Sequence, residues 1–144
     1  MNELAPKDQK FIADLTLIVE ENIKNEQFGV SELADKARMS RSNLLRKIKK
    51  ITNDSASQFI RKIRLEKGMA LVKEGELTIS EISYRVGFNS TSYFIKCFRE
   101  QYGFPPGEMG NQPVELSKEN VEKPPVNRSM KRLRFYMLVL MIIS

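Results

Sequence analysis

The 144-residue sequence predicts an all-α fold, a seven-helix bundle of two helix-turn-helix subdomains joined by a long connecting helix. Three observations support this fold class. Apolar residues recur at three- and four-residue steps over roughly the first 110 positions, which is the period of an amphipathic helix. Strand-like alternation is nearly absent, and one helical pattern occurs twice, 49 or 50 residues apart. With 41% hydrophobic residues the chain can form one such domain, which we place at residues 1–110.

The first 53 residues predict three helices. Pro6 opens a long helix. Its apolar positions are Ile12, Leu15, Val19 and Ile23. A short helix follows Gly29 and ends near Met39. Ser40 is a suitable N-cap for the next helix, since its hydroxyl can accept a hydrogen bond from a free backbone N–H. The segment at about 30–53 thus has the short helix, tight turn and second helix of a helix-turn-helix unit.

The second half of the chain predicts the remaining helices. An apolar-striped stretch at about 57–74 predicts the connecting helix. "TISE", residues 78–81, has a hydroxyl residue followed three positions later by Glu, the capping-box pattern that opens a helix. "GFPP", residues 103–106, ends a further helix, and a short turn after Pro106 is counted as the seventh. The second helix-turn-helix unit is therefore expected at about 78–103.

The repeat is the most informative feature of the sequence. Leu33 and Ala34 are matched by Ile82 and Ser83, 49 residues later. After one inserted residue the spacing becomes 50. The pairs at this spacing are Leu44 with Phe94, Ile48 with Phe98, and Asn53 with Gly103. Two copies of the same short helix, turn and longer helix therefore flank one connecting helix.

Each longer helix of the repeat has two chemically distinct faces at 100° per residue. The apolar faces carry Leu44, Ile48 and Ile51 in the first copy, and Phe94, Phe98 and Tyr102 in the second. The opposite, polar faces carry Ser42, Arg46 and Lys49 in the first copy, and Ser92, Lys96 and Arg99 in the second. A small hydroxyl with a long cation one turn later suits the DNA major groove, where Arg or Lys reaches O6 and N7 of guanine.

The net charge of +6 and the pI of about 9.5 favour an anionic partner, either nucleic acid or membrane. Residues 31–53 carry seven basic and two acidic side chains, a net charge of +5, whereas residues 76–110 carry −1. We therefore expect the first unit to dominate affinity for DNA and the second to add conditional specificity.

Cysteine and histidine usage excludes several kinds of site. Cys97 is the single cysteine and histidine is absent, so disulfide frameworks, Cys/His zinc sites and His-dependent catalysis are excluded. The sequence shows neither a Gly-rich phosphate loop nor a converging pair of carboxylates. We therefore expect no enzymatic activity, no cofactor, no metal and no small-molecule site. The single cysteine fits a reducing, cytoplasmic setting.

Two alternatives to DNA binding stay open at this point. A cationic stripe opposite an apolar stripe is usually just a solvated helix face. The basic faces could also bind anionic lipid, which would make the chain a peripheral membrane or protein-interaction module without a DNA site. The repeat argues against both, because neither a solvated face nor a lipid surface requires two matched stripes at a fixed spacing.

Residues 8–109 resemble the AraC/XylS family of helix-turn-helix DNA-binding domains. The resemblance is carried by "SELADKARMSRSNLLRKIKKITN", "FIRKIRLEKGMALV" and "TISEISYRVGFNSTSYFIKCFREQYGFPP". "APKDQKFI" is similar to the lead-in of such domains where they are outputs of hybrid two-component regulators. The resemblance implies two recognition helices in successive major grooves, a role in transcription regulation, and double-stranded DNA and RNA polymerase as partners.

The resemblance also implies which residues contact bases. These are Ser42, Asn43, Leu45 and Arg46 in the first unit, and Thr91, Ser92, Tyr93 and Lys96 in the second. Charge and position add the phosphate contacts expected from Ser40, Arg41, Lys47, Lys49, Lys50, Arg61, Arg64, Ser90 and Arg99. For Leu45 and Tyr93, a packing role is an equal alternative.

The sequence departs from the family pattern at several positions. Ile48 stands where the family usually has Phe, Asn53 where it has Gly, and Gly68 where it has Ala. Gly68 is expected to weaken the connecting helix by about 1 kcal/mol relative to Ala. None of these departures removes a residue that is expected to contact DNA.

The composition changes beyond Met109. Residues 111–127 are polar and contain prolines, which predicts a flexible linker. Residues 128–144 contain four cations and then nine apolar residues from 135 to 143, whereas a bilayer span needs about 20. Three interpretations compete: the start of a transmembrane helix that tethers a cytoplasmic domain to the inner membrane, a truncated or frameshifted end, and a segment packed on the domain.

Overall fold

The computed structural model describes residues 3–111, and this part of the chain is helical without strands. Its six α-helices are α1 (Pro6–Glu21), α2 (Val30–Lys36), α3 (Arg41–Thr52), α4 (Ala56–Glu74), α5 (Ile79–Arg85) and α6 (Thr91–Tyr102). A 3₁₀ helix, Pro106–Asn111, follows them. The all-α prediction is confirmed. The seventh helix is this 3₁₀ segment and not an α-helix, because Gly107 and Gly110 have low helix propensity.

Side chains that the sequence indicated as N-terminal caps fix the beginnings of α3 and α5. Ser40 Oγ accepts a hydrogen bond from the N–H of Asn43 at 3.2 Å, and Thr78 caps α5 in the same way. The connecting helix α4 begins at residue 56, one position before its predicted start, because Ser55 and Gln58 form a capping box there. Each cap satisfies a backbone N–H that the helix itself leaves without an acceptor.

The sequence repeat is also a repeat of backbone hydrogen bonds. The N–H of Met39 donates to the carbonyl of Ala34 at 3.0 Å and closes the turn after α2. The N–H of Phe88 donates to the carbonyl of Ser83 at 2.9 Å and closes the turn after α5. Both α3 and α6 have 12 residues, and each is followed by a left-handed C-cap residue, Asn53 or Gly103. The two helix-turn-helix units therefore share one backbone plan.

Two hydrophobic cores lie along α4. The first joins α1, α2, α3 and the N-terminal half of α4, and the second joins α5, α6 and its C-terminal half. Fully buried side chains at their centres include Leu33, Leu44 and Ile48 in the first, and Ile82, Phe94 and Phe98 in the second. Since α4 belongs to both cores, its 19 residues set the separation of the two units. At 1.5 Å per residue α4 is about 28 Å long.

Gly68 has a packing role in addition to its low helix propensity, which is all that the sequence pattern indicated. A Cβ atom at this position would lie 2.8 Å from Cε2 of Phe94, whose ring is fully buried. Ala would gain helix propensity but would overlap with this ring. The expectation that Gly68 is merely a weak point of α4 is therefore corrected, since the missing side chain lets α6 pack closely on α4.

No helix among residues 3–111 is long and apolar enough to cross a bilayer. Apart from Asn111, the segment predicted as a linker at 111–127 lies outside the described residues, as does the basic and apolar segment at 128–144. What the sequence indicates for these segments stays a prediction.

Candidate nucleic-acid interface

The exposed face of α3 carries the base-contacting candidates of the first unit. Ser42, Asn43, Leu45 and Arg46 are all exposed. The opposite face is buried, with Leu44 and Ile48 fully inaccessible to solvent. The guanidinium of Arg46 donates to Oδ1 of Asn43 at 2.5 Å, so these two candidates are held together within α3.

The exposed face of α6 has the same arrangement with different side chains. Ser92, Tyr93 and Lys96 are exposed, and Phe94 and Phe98 are fully buried on the other side. Tyr93 is 43% exposed, and Leu45 on α3 is 36% exposed. A purely internal packing role for these two large side chains is therefore disfavoured.

Thr91 is half-buried and contacts α5, unlike the other candidates on α6. Its hydroxyl lies 3.3 Å from Oγ of Ser80 and 3.2 Å from Oγ of Ser83. The first unit has an equivalent contact, in which the guanidinium of Arg41 donates to Oγ of Ser31 on α2 at 2.8 Å. Each unit thus joins its two helices through the first residue of its longer helix.

The basic side chains around α3 differ in how much of their charge is available. Lys47 Nζ lies 4.0 Å from the centroid of the Phe11 ring on α1, and Lys49 donates to the carbonyl of Asn53 at 2.8 Å. Lys50 is exposed. A lysine with one polar contact keeps two further donors, so all three retain capacity for a phosphate.

The N-cap serines lie where each recognition-helix candidate begins. Ser90 Oγ accepts from the N–H of Tyr93 at 3.0 Å, as Ser40 Oγ does from Asn43. Both hydroxyls keep their own O–H as a donor beside free N–H groups at a helix N-terminus, a favourable position for an anion. Arg99 is exposed on the last turn of α6.

Arg61 lies on α4 and contacts the second unit. Its Nη1 donates to the hydroxyl oxygen of Tyr93 at 3.2 Å. An open cleft of about 280 Å³ lies beside this pair, and Ser57 and Asn89 contribute to its polar lining. Arg61 is half-buried, so its guanidinium is shared between an internal contact and solvent.

Arg64 does not belong to this interface. Its side chain is 5% exposed. Nη1 donates to the carbonyls of Ile23 and Val86, and Nη2 to those of Asn25 and Phe28. The expected phosphate contact is therefore wrong, because the guanidinium is enclosed and four backbone acceptors use its donors. Burial lowers the pKa of Arg64.

Arg64 instead joins the two halves of the domain, since its acceptors belong to the α1–α2 connection and to the end of α5. The sequence contained a signal for this role: Arg64 follows Ile60 by four positions and so lies on the buried face of α4. Gly87 makes room for it. A Cβ at Gly87 would lie 1.6 Å from Nη1 of Arg64.

Glu66 on α4 is a half-buried charge-bearing group that the sequence pattern did not indicate. Its Oε1 is buried without a hydrogen-bond partner among the described residues. Burial and, to a smaller extent, the charge of Glu20 raise the pKa of Glu66 to about 8, although the charge of Lys62 acts in the opposite direction. Burial, and then the charge of Glu66, also raise the pKa of the Tyr102 hydroxyl. This cluster lies between α1, α4 and α6, away from the exposed faces of α3 and α6.

Comparison with known proteins identifies the family. A family model described as a helix-turn-helix domain matches residues 33–112, more than half of the chain. The chain belongs to the AraC/XylS family of helix-turn-helix DNA-binding domains. The match begins within α2 and covers the rest of the first unit, the whole of α4 and the second unit, so it includes every base-contacting candidate of this AraC/XylS-type domain.

Two curated relatives of this AraC/XylS-type domain show how much of a longer protein it can occupy. Histidine kinase P4 of Formosa agariphila is 38% identical over 105 residues, which is 73% of this chain and 8% of that protein. The HTH-type transcriptional regulator GbdR of Pseudomonas aeruginosa is 35% identical over 116 residues, 77% of this chain and 30% of that protein. The chain thus spans less than a third of either relative.

A solved structure with a similar fold contains DNA. The DNA-binding domain of AdpA, a global transcriptional factor in complex with a target DNA, superposes with a TM-score of 0.62 at 25% identity. The superposition covers 72% of this chain and 96% of that one. The AraC/XylS-type domain described above therefore has the fold of a domain whose DNA complex has been solved.

Proposed function

We propose that this domain binds double-stranded DNA in a sequence-specific way, as the DNA-binding part of a transcriptional regulator. In this proposal α3 and α6 are recognition helices that enter successive major grooves. The domain acts by binding and catalyses no reaction, in keeping with a sequence that contains no histidine and a single, buried cysteine.

The observation that carries the proposal is the duplicated unit. Two helices with the same N-cap, the same length and the same buried face each expose a hydroxyl and a cation at matched positions. They flank a helix about 28 Å long, and successive major grooves are about 34 Å apart. A single groove, a lipid surface or bulk solvent would not require such a matched pair.

The side chains divide into two groups in this proposal. Base edges are contacted by Ser42, Asn43, Leu45 and Arg46 from α3 and by Thr91, Ser92, Tyr93 and Lys96 from α6. Phosphates are contacted by Ser40, Arg41, Lys47, Lys49, Lys50, Arg61, Ser90 and Arg99. Arg64 is left out of the second group because it is buried.

We also propose a cytoplasmic location, where DNA is accessible, and RNA polymerase as a protein partner. A tether to the inner membrane through residues 128–144 is the finer form of this proposal. It rests on the four cations and nine apolar residues of that segment. Cell fractionation of the intact protein, with and without residues 128–144, tests the tether: equal soluble fractions would exclude it.

Titration of the full chain with a labelled pool of random-sequence duplexes and with phosphatidylserine vesicles tests DNA binding itself. We expect duplex binding that weakens steeply with salt. The Arg46→Ala/Lys96→Ala variant is the matched control, because it keeps residues 128–144 and should lose duplex affinity while vesicle binding is unchanged. Vesicle flotation without any duplex binding would favour the lipid-binding alternative.

A further inference from the structure

One hydrogen bond joins the connecting helix to the second recognition helix near its exposed face. Arg61 Nη1 on α4 donates to the hydroxyl oxygen of Tyr93 on α6 at 3.2 Å, across 32 residues of sequence. Tyr93 is 43% exposed and is one of the side chains assigned to base edges. A residue of the connecting helix therefore contacts a candidate for sequence recognition directly.

The ring of Tyr93 is held at its other end as well. It packs against Phe88 with ring centroids 5.7 Å apart and an angle of 56° between the planes. Phe88 is buried, and its N–H donates to the carbonyl of Ser83 on α5, which closes the turn of the second unit. With the ring held by Phe88 and the hydroxyl by Arg61, the two χ angles of Tyr93 are restricted before any ligand binds.

The equivalent position of the first unit is arranged differently. Asn43 occupies it, and Asn43 accepts a hydrogen bond from Arg46 on the same helix, α3. Among the base-contacting candidates of the described residues, Tyr93 is thus the one held by α4.

The direction of the hydrogen bond determines what Tyr93 can recognise. A phenolic oxygen that accepts from a guanidinium keeps its own O–H as a donor, and the guanidinium charge directs that hydrogen outward. Acceptors in the major groove are O6 and N7 of guanine, N7 of adenine and O4 of thymine. The preference expected at the contacted position is for a base edge that presents such an acceptor.

We propose that Arg61 is a positioning residue for Tyr93, so that it contributes to the sequence preference of the second recognition helix and not only to phosphate affinity. This inference rests on the proposed DNA-binding function. Four of the five N–H donors of Arg61 are left after the Tyr93 contact, so a phosphate contact is compatible with it. The contribution of Arg61 to sequence preference comes from preorganisation, because the Tyr93 side chain is ordered before DNA binds.

The experiment compares the full chain with Tyr93→Phe, Arg61→Gln, Arg61→Lys and the Arg61→Gln/Tyr93→Phe double variant. Affinity is measured on a duplex selected from a random pool and on each of its single base-pair variants. Tyr93→Phe keeps the ring on Phe88 and removes only the hydroxyl. We expect it to reduce the preference at one base pair of the second block about fivefold, the value of one hydrogen bond.

Arg61→Gln should reduce the preference at that same base pair, and the double variant should lose nothing further there. Arg61→Lys keeps the charge but not the planar donor fork, so it should keep the salt dependence and lose the preference. Urea unfolding of each variant verifies folding.

The positioning role would be overturned if Arg61→Gln reduced affinity equally on all duplexes, and by the same factor whether residue 93 is Tyr or Phe. Absence of duplex binding by the unsubstituted chain would instead refute the proposed function, and this inference with it.

Discussion

The two helix-turn-helix units have the same backbone but different interiors and different surfaces. The first core is mainly aliphatic, whereas the second is mainly aromatic. In the second core the ring centroids of Phe94 and Phe98 lie 5.7 Å apart, and those of Phe98 and Tyr102 lie 4.7 Å apart. Residues 31–53 carry a net charge of +5 and residues 76–110 carry −1. The features that the units share are turns, caps and buried stripes. Backbone geometry therefore constrains the fold, while core composition and surface charge are free to diverge.

The left-handed residue two positions after each short helix shows this divergence at one position. The turn of the first unit has Arg38 with φ 55°, and the turn of the second has Gly87 with φ 85°. Arg38 is exposed, so its side chain has room, whereas Gly87 is buried against the Arg64 guanidinium. The same backbone conformation thus tolerates a long side chain in one unit and requires its absence in the other.

Gly87→Ala should have the largest effect on stability. The new methyl group would lie 1.6 Å from Nη1 of Arg64 and 2.4 Å from the carbonyl oxygen of Ile23, so the joint between the two halves cannot form. We expect the free energy of unfolding to fall by more than about 3 kcal/mol, measured by urea denaturation. Arg38→Gly is the matched control in the first unit and should change it by less than about 1 kcal/mol. Similar losses for the two variants would show that the turns are equivalent.

Glu66→Gln should remove a pH dependence of stability. The pKa of Glu66 is about 8 in the folded chain and about 4.5 in the unfolded one, so the folded state holds an extra proton between these values. The contribution of Glu66 is fully present below about pH 4.5 and is lost as pH rises through about 8. Each pH unit in this window corresponds to about 1.4 kcal/mol. Urea unfolding from pH 5 to 9 should show a decline that Glu66→Gln flattens, and that Glu20→Gln lessens. If the free energy of unfolding changed with pH in the same way for all three proteins, the carboxyl group of Glu66 would not have a raised pKa.

Arg46→Ala should weaken binding to a selected duplex by about 1–3 kcal/mol, because it removes the long cation of the more basic unit. Lys96→Ala should have a smaller effect that is limited to the base pairs contacted by α6. Affinities on single base-pair variants of the duplex separate the two. If both substitutions reduced binding to every sequence alike, neither side chain would contact bases.

Lys50→Ala should have the smallest effect and should act on all sequences equally. Loss of one phosphate contact should lower the slope of log affinity against log salt concentration by about one. Lys10→Ala on α1 is the control, since Lys10 pairs with Asp14 at 2.8 Å in a segment, residues 1–30, with a net charge of −3, and the slope of this variant should not change. Arg99→Ala should change the slope as Lys50→Ala does if the second unit also contacts phosphate. A sequence-dependent loss for Lys50→Ala would place it among the base-contacting residues.

Much of the fold follows from local patterns in the sequence. The N-cap at Ser40, the buried stripe through Leu44 and Ile48, and the 49- or 50-residue repeat all correspond to structural features. The N-cap and the buried stripe are local features, because caps and helix faces depend on residues three or four positions apart. Which exposed side chains contact DNA stays a prediction, since exposure alone does not distinguish a ligand surface from a solvated one.

The contacts that the sequence did not reveal join residues far apart in the chain. Arg64 was expected at phosphate because its charge was considered without its position on the buried face of α4. Its four acceptors lie 22 to 41 residues away. Gly68 and Gly87 have meaning only when Phe94 and Arg64 are placed against them. Long-range packing of this kind depends on how helices meet, which a periodic pattern does not specify.

Selection of bound sequences from a random duplex pool by the full chain tests the central claim most directly. Two blocks of preferred bases, with centres about 10 base pairs apart, are expected because two recognition helices occupy successive major grooves. The first block should be the stronger, since it faces the more basic unit. A single uninterrupted block, or two blocks half a helical turn apart, would contradict the placement of α3 and α6 in successive major grooves.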